Sequence, residues 1–148
     1  ALSRQKVPYI NPNNSKDNKC KKGAYTVNIT SHESNVTLVA SGTEVELALK
    51  VQERLKENNI HSKVVSMPCM ELFDKQPEDY RRDILEENSL IVTIEAGNIM
   101  PWQKYIKDKG LNLGLDKFGE SAPYKEVYKH FKLSEEDITS IIQKKLRE

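Results

Sequence analysis

The chain has little of what defines the specialised classes of protein. Only two cysteines, Cys20 and Cys69, occur in 148 residues. They lie far apart in no paired motif, so a disulfide framework is excluded and both thiols read as reduced. His32, His61 and His130 form no set with them at zinc-ligand spacing. No apolar run approaches the roughly 18 residues of a membrane span. Neither sign of charge dominates: 23 Lys and Arg stand against 22 Asp and Glu, a formal +1. That balance provides no general field to hold nucleic acid or an anionic membrane. The N-terminus, ALSRQKVPYI, has no basic segment leading into an apolar stretch and a cleavage site. No secretory signal is read there, and the cytoplasm is the default compartment.

What is present suits one domain. A chain of this length buries roughly 68 to 70% of its unfolded surface, enough for a single core, so residues 1–148 read as one unit. Ala1, Leu2 and Ser3 open at once into strand-like sequence, which suggests a piece of a larger polypeptide. Residues 8–22 are polar and rich in Asn and Lys, an exposed connector. Lys16, Lys19, Lys21 and Lys22 make it basic, but without Arg or aromatic company they read as a solvated loop.

Strand and helix periods then alternate. Tyr25, Val27 and Ile29 alternate with polar residues, the pattern of an edge strand with one wet face. VTLVA, Val36–Ala40, is apolar on both parities, as a central strand covered on two sides should be. Leu47, Ala48, Val51 and Leu55 repeat at helical spacing, Glu46 and Lys50 form a favourable i,i+4 pair, and Asn58 with Asn59 ends the helix. Val64 and Val65 mark a short buried strand closed by Pro68. Pro77 begins a short helix, PEDYRRDIL, with acids first and arginines later. SLIVTI, residues 89–94, is the third core strand, followed by helical sequence around Trp102, Tyr105 and Ile106 and a weaker strand at Leu111–Leu115.

The last helix carries the clearest local signal. Ser134 can cap it, Asp137 can return a bond to the cap residue's amide, and Leu133 can staple to Ile138. Ile138, Ile141, Ile142 and Leu146 share a face. The alternation predicts a three-layer α/β/α domain with a mostly parallel, five-stranded mixed sheet, and the strand near Tyr25 as the antiparallel edge.

In such sheets ligands collect at the carboxyl ends of the strands, where three loops are candidates. Residues 41–46, SGTEVE, could cradle an anion at a helix N-terminus, but lack the spacing of a phosphate loop and read as an ordinary helix cap. Glu95, in the EAG at residues 95–97, could serve as a base or could fix the turn through loop amides. In KFGESAP, residues 117–123, Gly119 permits a turn and Ser121 can cap the helix that Pro123 starts. No nucleophile elbow, Ser-His-acid set or metal motif is visible, so the chain taken alone lacks an active site. Trp102, Tyr105, Tyr124, Tyr128 and Phe131 are spaced as core or interface aromatics.

Together these segments resemble a known family. LSRQ, GAYTV, LVASGTEVELALK, VVSMPCMELFDKQ, IEAG and FGESAP occur in the order and approximate spacing of the C-terminal domain of transketolases. The related C-terminal domains of deoxyxylulose-phosphate synthase and ketoacid dehydrogenase β subunits share less of this wording. A free-standing interaction module is the third alternative. The resemblance implies an enzyme that moves a two-carbon ketol unit between sugar phosphates, with thiamine diphosphate and Mg2+ or Ca2+ held by N-terminal and middle domains that this chain lacks, and a homodimer partner. No catalytic, cofactor or metal residue carries over to this fragment, which is expected to bind no cofactor and to be inactive alone. One residue does carry over: Arg4, in SRQ, for substrate phosphate. A guanidinium can give phosphate two parallel charge-assisted hydrogen bonds. Cys69 stands where the family usually has a small polar residue.

Overall fold

The computed structural model describes residues 6–10, 18–31, 33–106 and 109–148. Five strands form one sheet in the order β1-β3-β2-β4-β5: β1 is Tyr25–Ile29, β2 Val36–Ala40, β3 Ser62–Ser66, β4 Leu90–Asn98 and β5 Leu111–Leu115. All neighbours are parallel except β1, which runs antiparallel to β3. Five helices surround the sheet: α1 Glu44–Glu57, α2 Met70–Asp74, α3 Glu78–Leu85, α4 Tyr124–His130 and α5 Glu135–Lys145.

The double-sided apolar strands explain the layering. On one face Val36, Leu38 and Ala40 of β2, Val64 of β3 and Val92 and Ile94 of β4 meet Val45, Ala48, Val51 and Leu55 of α1 and Ile138 and Ile142 of α5. On the other face Val39, Val65 and Ile91 meet Phe73 of α2, Ile84 of α3, and Trp102 and Tyr105 from the 3-10 helix Met100–Tyr105. Consecutive residues such as Leu38 and Val39 thus enter different cores, as a period of two requires. Each such side chain contributes about 1.5–3 kcal/mol by leaving water.

Several local expectations hold. Lys50 and Glu46 pair at 2.8 Å. Asn58 caps α1 and Asn59 takes a positive φ of 57°. Arg54 of α1 reaches Glu136 at 2.5 Å and Glu135 at 3.3 Å, tying α1 to α5 across the surface. Others need correction. Ile29 is 43% exposed, because the pairing of β1 slips between Thr26 and Asn28. This bulge turns Asn28 toward α1, where its amide donates to Gln52 Oε1 at 2.8 Å, and turns the next residue outward. At α5, Asp137 N–H donates to Ser134 Oγ at 3.2 Å, but the Asp137 carboxylate meets the Ser134 hydroxyl at 2.6 Å instead of its amide. Within the connector a short 3-10 helix forms at Lys19–Lys22. The segment around Trp102 is 3-10 rather than α, and α2 was not anticipated, its five residues being too few to show a helical period.

The second core is pinned by a polar group at its rim. Tyr105 OH donates to Asp74 Oδ1 at 2.8 Å, and Lys104 Nζ pairs with the other oxygen of that carboxylate. Burial pushes the Tyr105 phenol up to about 12, with Asp74 adding to the rise and Lys104 opposing it.

Candidate functional site

The chain crosses from β2 through α1 to β3 on one face, and from β3 through α2 and α3 to β4 on the other. The connections leaving β2 and β4 therefore diverge, and their carboxyl ends frame the crevice where open α/β sheets bind ligands. Ser41 and Glu95 stand there, each one residue beyond the paired Ala40 and Ile94.

In this crevice the loops are used differently from expectation. The 41–46 segment is not capped by its hydroxyls: Thr43 is the cap residue, in right-handed helical conformation and without a side-chain bond to a helix amide. Ser41 Oγ instead donates to Glu95 Oε2 at 2.8 Å, and Thr43 Oγ1 donates to Glu44 Oε1 at 2.7 Å. Tyr128 OH of α4 donates to the same Glu44 oxygen. Glu44 is only 5% exposed. Three hydroxyls thus serve two carboxylates, and those bonds hold β2, β4, α1 and α4 together at one point.

Glu95 lies in a strand, not a loop, since β4 continues through Asn98. Its pairing with β5 breaks between Ile94 and Asn98, and Gly114 makes room for the irregular stretch. A Cβ on Gly114 would stand 2.6 Å from Ile99 Cγ2 and 2.7 Å from Glu95 O. Burial pushes the Glu95 carboxyl above its ordinary range, the Ser41 bond pulls it partly back, and the charge of Glu44 adds to the rise. A half-buried acid of this kind can hold or pass a proton.

The third loop leaves β5 and is largely exposed, with Phe118 at 96%. Ser121 does not cap α4: the cap position is Pro123, and no side-chain bond is made there. Tyr124, expected in a core or interface, is 52% exposed, whereas Tyr128 and Phe131 pack against the first core. Away from the crevice, Lys19, Lys21 and Lys22 line a shallow pocket of about 230 Å³ with Tyr25, Thr26 and Tyr80. Lys22 Nζ lies 4.3 Å over the Tyr80 ring, so part of that charge is already engaged.

Several sequence expectations fall on residues that the structure does not describe: Arg4, the strand-like opening at residues 1–3, His32, and residues 11–17 of the connector with Lys16 lie outside the described residues. Among the described residues no group of three or more His, Cys, Asp or Glu could hold a metal ion.

A family model described as the transketolase-like C-terminal domain matches residues 23–134. The chain belongs to the transketolase C-terminal domain family. It is 36% identical over 146 residues to the transketolase of Aquifex aeolicus, covering 97% of this chain and 21% of that protein. It is 38% identical over 143 residues to the chloroplastic transketolase of Solanum tuberosum, covering 95% and 19%. Among solved structures, it superposes on transketolase from Leishmania mexicana with a TM-score of 0.77 at 35% identity, over 86% of this chain and 18% of that one. On the Pichia stipitis transketolase complexed with sedoheptulose-7-phosphate the TM-score is 0.79 at 31% identity, over 87% and 18%. The chain therefore spans about a fifth of the length of the curated relatives it matches.

Placed on this transketolase C-terminal domain, the motifs cluster. GAYTV leads into β1. LVASGTEVELALK runs from β2 into α1, IEAG straddles the end of the β4 pairing, and FGESAP follows β5. The last three bracket the carboxyl edge of the sheet. The Glu44–Tyr128 bond escapes sequence reasoning altogether, because its partners are 84 residues apart and neither belongs to a catalytic spacing.

Proposed function

We propose that this chain is the C-terminal domain of a transketolase acting in the pentose phosphate pathway, the enzyme that transfers a two-carbon ketol unit between a ketose phosphate and an aldose phosphate. The observation that carries the reading is the family match over residues 23–134, joined to six motifs in one order. Thiamine diphosphate and its Mg2+ or Ca2+ belong, on this proposal, to domains outside this chain, and supply the chemistry that holds the transferred unit as a carbanion equivalent. The domain contributes Arg4 to substrate phosphate and adds contacts within a homodimer. The fragment alone is inactive, and the cytoplasm is its proposed compartment. No helix among the described residues is long and apolar enough to cross a membrane.

The role of Arg4 rests on charge-assisted hydrogen bonds worth about 1.5–3 kcal/mol. In the complete enzyme, Arg4→Ala should lower kcat/KM for phosphorylated donor and acceptor by roughly ten- to hundredfold, chiefly through KM, and leave unphosphorylated analogues little changed. Equal losses on both would remove the phosphate role. Titration of the 148-residue chain with thiamine diphosphate and magnesium should give no binding heat, and turnover of xylulose and ribose phosphates by it would contradict the division of labour.

A further inference from the structure

The two cysteines of the chain, 49 positions apart, are both hydrogen-bonded through their backbones to Gly23. Cys20 lies in the 3-10 helix Lys19–Lys22, where its N–H donates to Asn18 Oδ1 at 3.1 Å. Its carbonyl accepts the Gly23 N–H at 3.0 Å, and the Gly23 carbonyl accepts the Cys69 N–H at 3.1 Å. A single glycine thus connects both cysteine backbones through two hydrogen bonds. The approach is close: a Cβ on Gly23 would stand 2.2 Å from Phe73 N and 2.4 Å from Cys69 O. Gly23 has a φ of 83°, a conformation that favours glycine.

Neither thiol belongs to a core. Both are free, Cys20 exposed and Cys69 partly so. Cys69 opens α2, with Sγ 3.5 Å from Glu71 Oε2 in an exposed contact. Lys19, Lys21 and Lys22 share the 3-10 helix with Cys20, and their positive charge favours the approach of an anionic reagent.

We propose that Cys20 and Cys69 are a thiol–disulfide exchange site that closes to a reversible intramolecular disulfide on meeting an anionic low-molecular-weight disulfide. The Cys20 thiolate attacks one sulfur of the oxidant, a Cys20–sulfur bond forms, and one small thiolate leaves. The Cys69 thiolate then attacks Cys20 Sγ in that mixed disulfide, the Cys20–Cys69 bond forms, and the second small thiolate leaves. In balance, two protein thiols give up two protons and two electrons, and one small disulfide becomes two small thiols. The new bond fastens the connector to α2 and is independent of any role for Arg4.

The test equilibrates the purified 148-residue chain with mixtures of oxidised and reduced glutathione, quenches in acid, and reads intact mass after alkylation. The expected product is a monomer lighter by two hydrogen atoms. It resists alkylation at both cysteines, gives one linked peptide pair containing Cys20 and Cys69, and reverts with dithiothreitol. Cys20→Ser and Cys69→Ser should each stop at a single glutathione adduct, and only at a roughly tenfold higher ratio of oxidised to reduced glutathione than closes the parent. Independent glutathione adducts on both cysteines of the parent chain, or disulfide-linked dimers in place of the internal bond, would overturn the proposal.

Discussion

Ser41 and Glu95 are joined at 2.8 Å across the carboxyl ends of β2 and β4, so the crevice that this sheet order opens is bridged by the domain's own hydrogen bond. That bond favours the ionised form of Glu95, whereas burial disfavours it more strongly.

A pH dependence of stability follows from that balance. Because the Glu95 carboxyl titrates higher when folded than when unfolded, the folded chain holds more protons just above the ordinary carboxylate range, and stability falls as pH rises through that window. Glu95→Gln removes the ionisation while keeping an acceptor for Ser41. In urea denaturation at steps between about pH 4 and pH 7, the stability of the variant relative to the parent should grow with pH; a difference that does not change with pH would refute this account. Ser41→Ala should cost about 1 kcal/mol at neutral pH and move the Glu95 titration further upward.

Gly23 combines a positive φ with backbone neighbours too close for a side chain. Alanine there adopts an unfavourable φ and forces its methyl against the backbone of α2. Gly23→Ala should lose roughly 2–4 kcal/mol, measured as a drop in the denaturation midpoint, while Gly119→Ala, where nothing lies within 4 Å of the added carbon, should change stability by less than about 0.5 kcal/mol.

Lys63 is only 5% exposed and answers two groups on the helix side of the sheet. Its Nζ donates to the Asp83 carbonyl and lies 3.7 Å from Glu86 Oε2, while Glu86 itself is held at a φ of 50°. Lys63→Met should cost about 2 kcal/mol, less than the ~3–5 of a fully buried pair because Glu86 retains some exposure. Adding Glu86→Gln should recover part of that loss. Additive losses in a double-mutant cycle would show that the pair is not coupled.

Removing the cap of α5 is the simplest of these experiments. Ser134→Ala deletes the acceptor for Asp137 N–H, and a loss of about 1 kcal/mol is expected. Ser134→Thr, which keeps a hydroxyl that accepts from Asp137 N–H and donates to its carboxylate, should restore most of it.

The layers were legible in the sequence wherever a period was long enough to read. VTLVA is apolar at both parities and its residues enter both cores; the α1 stripe buries Ala48, Val51 and Leu55 and the α5 stripe buries Ile138 and Ile142, whereas Leu146, expected on the same face, is 40% exposed at the end of that helix. Local chemistry also gave the Glu46–Lys50 pair and the Ser134 cap. What escaped depends on partners remote in sequence. The hydroxyl of Ser41 has the Glu95 carboxylate within reach only once β4 lies beside β2, so a capping rule that sees only neighbours misassigns it. Ile29 follows the period of its strand until the bulge, which no period announces. At the site, the family wording located the sheet edge but not the Glu44–Tyr128 bond, and Arg4 remains a proposal.

That bulge also governs how the molecule meets other chains. A straight outer strand with open amides and carbonyls invites a neighbouring polypeptide to extend the sheet. In β1 the slip between Thr26 and Asn28 interrupts the regular row of donors and acceptors, and Asn28 Oδ1 takes the N–H of Ile29 at 2.9 Å for itself. The domain can therefore keep an antiparallel border in water without templating fibrous growth along it.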